Sequence, residues 1–158
     1  MSSLESLTNY SIYISLNLRG ALPGFHWLIY MPKHASTGNI WHATNRTGGW
    51  HLEAKSISDV HEPMSFCLAY KIGSIEPKDW SKVNEILLNV DASGDLSPDS
   101  SEKFSCRIWA KNAMVRLQQE GFVEGDKSVE EIEEEATRLA EENRVNVERG
   151  KGGAIVQN

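Results

Sequence analysis

A chain of 158 residues with net charge −6, 40% hydrophobic and 24% charged residues is long enough for one core and has the composition of an ordinary soluble globular domain. No apolar run is long enough to span a bilayer, no basic stripe suits nucleic acid, and Cys67 and Cys106 alone make no disulfide framework. A reducing, cytoplasmic setting without membrane insertion is expected, and the acidity is concentrated in residues 124–148.

The N-terminus has neither a basic start nor an apolar core, so no secretory signal is expected. Residues 10–18 alternate, with Ile12, Ile14, Leu16 and Leu18 on one side and Tyr13, Ser15 and Asn17 on the other, as a half-buried strand does. Residues 19–24 are turn material, and 25–31 form a second strand with His26, Leu28 and Tyr30 on one face and Phe25, Trp27, Ile29 and Met31 on the other. The stretch 32–38 breaks the pattern, and 39–44 resumes it as a third strand. The turn residues 45–49 lead into a fourth strand at 50–55, and 65–72 gives a fifth.

The second half reads as helices. Residues 77–90 start with a proline near the first turn and carry Trp80, Val83, Ile86, Leu87 and Val90 at helical spacing. A polar loop at 91–103 precedes a helix that Ser105 caps and Gly121 stops. Its stripe is Cys106, Trp109, Ala110, Ala113, Met114 and Leu117. Ser128 and Glu131 form a capping box that opens an acidic helix over about 128–147. The expectation is one α+β domain over 1–148, a five-stranded antiparallel meandering sheet with packed helices, and a flexible tail at 149–158, in which residues 154–156 could add a short strand.

Cys106 falls at the positive end of its helix, a position that favours a thiolate nucleophile. It also fits a small apolar residue on a core stripe. A base on a facing element separates the two readings. His26 and His42 lie inside consecutive strands, equidistant from His34. A hairpin closed there puts the two imidazoles side by side, provided the register is not slipped. Cys106 as nucleophile, His26 as base and His42 orienting it make a coherent acyl-transfer triad. The same side chains could ligate zinc, but no further ligand comes at metal spacing, so neither a metal nor another cofactor is expected.

The order His26, Trp27, Leu28, Ile29, Tyr30, then Gly38, Trp41 and His42, then Cys106 at a helix start, resembles the lecithin retinol acyltransferase-like group of the permuted NlpC/P60 papain-like superfamily. The resemblance covers roughly residues 24–120. It implies a permuted papain-like fold, a Cys106–His26–His42 triad, Tyr30 near the pocket, and Trp109 as the aromatic three residues after the nucleophile. Trp27 and Trp41 join them as expected substrate contacts. Around the nucleophile, Ser105, Cys106, Arg107, Ile108 and Trp109 replace the group's Asn-Cys-Glu-His-Phe. The same pairing of motifs also resembles small fungal proteins, a likeness that implies no activity.

Two functions follow as expectations. One is cysteine-dependent acyl transfer or hydrolysis through a thioester, on a small-molecule or peptide-like acyl or amide substrate. The other is a non-catalytic binding module whose acidic C-terminal helix docks a partner.

Overall fold

The computed structural model describes residues 8–19, 22–34, 37–45, 49–57, 66–92, 105–149 and 154–156, with side chains at 22, 23, 34, 57 and 66 excepted. The architecture is α+β. Strands β1 (Ser11–Arg19), β2 (Leu22–His34), β3 (Thr37–Thr44), β4 (His51–Ile57), β5 (Phe66–Ser74) and β6 (Ala154–Val156) join in one sheet in the order β4-β3-β2-β1-β5-β6. Helices α1 (Trp80–Leu88, entered through a 3₁₀ turn at Pro77–Asp79), α2 (Cys106–Gln119) and α3 (Val129–Glu148) complete it.

Two features correct the expected five-stranded meander. β1 to β4 do meander, but β5 returns to pair antiparallel with β1, on the side of β1 away from β2. The sheet is also six-stranded and mixed, because Ala154–Val156, within the expected tail, pairs parallel with β5. Both follow from long-range pairing, which local alternation does not encode. β2 runs through Pro32 because the ladder is interrupted there, between Pro32 and His34, where an N–H is dispensable. The expected turns at 19–24 and 45–49, the loop at 91–103 and His61 fall wholly or partly outside the described residues.

Strand alternation gives the sheet two unlike faces. On one, Ile12, Ile14, Leu16, Trp27, Ile29 and Trp41 pack under Trp109, Ala113, Met114 and Leu117 in the main core. α2 lies against β2 and β3, and α3 against β5 and β1. On the other face, Tyr13, Leu28, Tyr30, Ile40 and Ala69 form a second, smaller cluster. Cross-strand partners share a face, so Asn17 opposite His26 and Glu53 opposite His42 belong to this second face.

The helix ends follow their local signals. The Ser105 hydroxyl accepts from the Ile108 N–H at 3.4 Å. At the far end of α2, Gly121 takes φ +83° while Phe122 N–H bonds Leu117 O at 2.9 Å and Gly121 N–H bonds Gln118 O at 3.1 Å, a Schellman closure. The Ser128–Glu131 capping box opens α3 with both reciprocal bonds made.

Candidate active site

The pairing of β2 with β3 stops at Ile29–Trp41, so the strands part before His26 and Thr44. The N-terminus of α2 meets β2 at this fork. Trp27 N–H lies on the same edge of β2 as that of Ile29 by alternation, and it donates to Cys106 Sγ at 3.4 Å. The thiol in turn lies 4.0 Å from Phe25 O. Cys106 is therefore held in the plane of the sheet edge, next to the residues that flank His26.

His26 and His42 meet, but not by the expected register. The hairpin pairs Ile29 with Trp41, which sets Leu28 opposite His42 and leaves His26 one step along the diagonal. The offset is two residues, so the two imidazoles stay on one face. An offset of one would have separated them. Their rings meet edge to face, with centroids 4.8 Å apart and planes at 89°, and His26 Nε2 lies 2.6 Å from His42 Nδ1.

The line continues to a residue that the sequence reading missed. Glu53 on β4 lies opposite His42 and its Oε1 is 2.7 Å from His42 Nε2. Lys55 Nζ is 3.8 Å from the same oxygen. An ionised carboxylate only accepts, so His42 carries its proton on Nε2 and presents Nδ1 as an acceptor. In that tautomer His26 donates from Nε2. The signal for Glu53 was available: Leu52 and Ala54 alternate with Glu53 and Lys55, which puts Glu53 on the polar face of the strand next to His42.

Burial pushes the Cys106 thiol above its ordinary pKa. The Trp27 N–H, the charge of Arg19 and the first backbone N–H groups of α2 pull it down without cancelling that rise. The helix terminus, a position that favours a thiolate, does not by itself offset the burial. Cys67 is also buried, and burial pushes it up to about 11.

Cys106, His26, His42, Glu53, Asn17 and Tyr30 line one cavity of about 640 Å³. Tyr30 lies across Gly38, where an added Cβ would stand 2.7 Å from its hydroxyl, and burial with neighbouring Tyr13 pushes its phenol up to about 12. Trp27 reaches the cavity, but its side chain is 2% exposed and belongs to the main core. Trp41 and Trp109, expected as substrate contacts, are not among the residues that line this cavity. Both are buried under the helices, where Trp41 Nε1 donates to Asn84 Oδ1 at 2.9 Å and Trp109 Nε1 to Val90 O at 3.4 Å. Their aromatic area serves packing. Asn17, Arg19 and Trp50 join the lining without having been singled out.

Among the described residues, no three His, Cys, Asp or Glu side chains converge as a metal site, and no helix is long and apolar enough to cross a membrane. Residues 12–124 match the model of a family of unknown function, DUF6540. No curated protein and no solved structure matches the chain at a significant level.

Proposed function

The chain belongs to the DUF6540 family, and from its site we propose a cysteine-dependent acyltransferase or hydrolase that works through a thioester on Cys106. The observation that carries this reading is the hydrogen-bonded line Glu53–His42–His26 in the same cavity as a cysteine at a helix N-terminus. A buried thiol with a raised pKa does no nucleophilic work without a base, and His26 is the imidazole of this line whose strand neighbours Phe25 and Trp27 approach the Cys106 sulfur.

In the proposed reaction His26 Nδ1 takes the thiol proton as Sγ bonds to the carbonyl carbon of an acyl, amide or peptide-like substrate. The carbonyl π electrons move onto oxygen, and the Cys106 N–H at the start of α2 stabilises that oxyanion. Collapse breaks the bond to the leaving amine or alkoxide, which takes the proton back from the His26 imidazolium. Water or an amine then attacks the thioester, with His26 again taking and returning a proton. Glu53 holds His42 in one tautomer, and His42 fixes the His26 ring and shares its positive charge.

The chain order, histidine strands first and nucleophile helix after, is the ground for reading the fold as permuted papain-like. A small-molecule or peptide substrate in the cytoplasm, without nucleic acid, fits the cavity and the charge distribution. Iodoacetamide alkylation tests the reading without a known substrate. Cys106 is expected to react much faster than a free thiol near neutral pH while Cys67 stays unmodified, and His26→Ala removes the excess. Slow alkylation of folded Cys106, unchanged by His26→Ala, would sink the catalytic reading and leave the non-catalytic binding module in its place.

A further inference from the structure

The six-stranded sheet ends on β4 at one side and on β6 at the other. β6 is three residues long, whereas β4 runs for seven, from His51 to Ile57. Among the described residues no strand pairs with the outer edge of β4, and Ala54, Lys55 and Ser56 are exposed. An extended edge strand of this length is a template for a second strand.

Side chains on β4 alternate between the two faces of the sheet. Ala54 lies opposite Trp41 on the main-core face, and Glu53 and Lys55 lie opposite His42 and Ile40 on the cavity face. Two antiparallel copies of β4 keep both faces continuous only when the twofold axis passes through a residue, because directly opposed residues share a face. An axis at Glu53 or at Lys55 opposes like charges across the seam. An axis at Ala54 pairs the whole strand. It sets each Glu53 opposite the partner's Lys55 and Leu52 opposite the partner's Ser56, with the small Ala54 side chain against its own counterpart at the centre. Within one chain Lys55 Nζ lies 3.8 Å from Glu53 Oε1, and its side chain is 46% exposed. An ammonium carries three donors, so this contact is compatible with a second carboxylate across the seam.

We propose that two copies of this chain associate through their β4 edges, antiparallel about Ala54, so that one sheet runs through both. The partner's Lys55 then stands at the rim of each cavity, beside the Glu53 that holds His42. This association is independent of the reading of Cys106 as nucleophile.

Sedimentation equilibrium of the full chain, from micromolar to near-millimolar concentration, is expected to show monomer and dimer in exchange. Lys55→Glu sets like charges opposite each other at both ends of the central pair and should raise the dimer dissociation constant by about tenfold. The register has its own readout. In Ala54→Cys the new cysteines are directly opposed, with Cα atoms about 5 Å apart and within disulfide reach, so mild oxidation should link the copies. Ser56→Cys, exposed on the same face, would stand roughly 14 Å from its counterpart and should remain unlinked. The unsubstituted chain, whose Cys67 and Cys106 are buried, is the control for background linking. A monomer at every concentration, a dimer indifferent to Lys55→Glu, or Ser56→Cys linking as readily as Ala54→Cys overturns the proposal.

Discussion

Replacing Glu53 by Gln keeps a hydrogen-bond acceptor of nearly the same shape for His42 and removes only the charge. Glu53 Oε1 is 2.7 Å from His42 Nε2, and His42 Nδ1 is 2.6 Å from His26 Nε2. The carboxylate is thus roughly 7 Å from the positive charge that forms on His26, an attraction of about 2 kcal/mol at an effective dielectric of about 20. The Glu53 side chain is 29% exposed and Lys55 Nζ lies 3.8 Å from it, so the attraction is partly screened. A loss of about 1–2 kcal/mol is expected, equivalent to roughly 5- to 30-fold in the population of the thiolate–imidazolium pair. The sign follows from the charge: without the carboxylate the imidazolium is less stable, thiolate forms at higher pH, and the midpoint of the alkylation profile moves up by about one unit. The assay is the second-order rate of Cys106 with iodoacetamide across pH, with Cys67 followed as the silent internal control. A Glu53→Gln protein that folds normally yet keeps its midpoint, or moves it downward, would show that the His42–Glu53 contact has no part in activating the cysteine.

Two further outcomes concern the frame around the site. Gly38→Ala would bring a Cβ to 2.7 Å from both the Met31 carbonyl and the Tyr30 hydroxyl. It should cost about 1–3 kcal/mol in chemical denaturation and displace the Tyr30 ring from the cavity wall; unchanged stability would contradict the close packing. Glu135 has its carboxyl pKa held down by Lys127, whose Nζ is 2.6 Å away, and by the Tyr70 hydroxyl at 3.0 Å. A depressed folded-state pKa contributes stability that is complete above the ordinary carboxylate range and lost as pH falls through the folded value. Glu135→Gln should therefore flatten the acid limb of the stability profile, and a limb as steep as the parent's would count against this contact.

Much of the site's local framework was legible in the chain. Ser105, Gly121 and the Ser128–Glu131 pair mark helix ends because capping satisfies backbone groups only a few residues away. The α2 stripe and the strand faces follow from fixed periods of about 3.6 and 2 residues, so His26, Leu28 and Tyr30 could be put on one side of β2 before any partner was known. The same parity made the meeting of His26 and His42 robust to a two-residue error in register. An aromatic beside a motif looks alike in sequence whether it faces a cavity or a core, and Trp41 and Trp109 pack in the core. Glu53 was legible by face but not by partner.

Sequence by itself determined most of the elements, their faces and which side chains are candidates for the site, since these depend on neighbours within a turn or a strand. Tertiary structure alone decided that β5 lies beside β1, that β6 joins in parallel, and that Glu53 completes the histidine line. It also decided the state of Cys106. The helix terminus lowers the thiol pKa locally, but desolvation depends on everything packed around the fork of β2 and β3, and there it outweighs the local field.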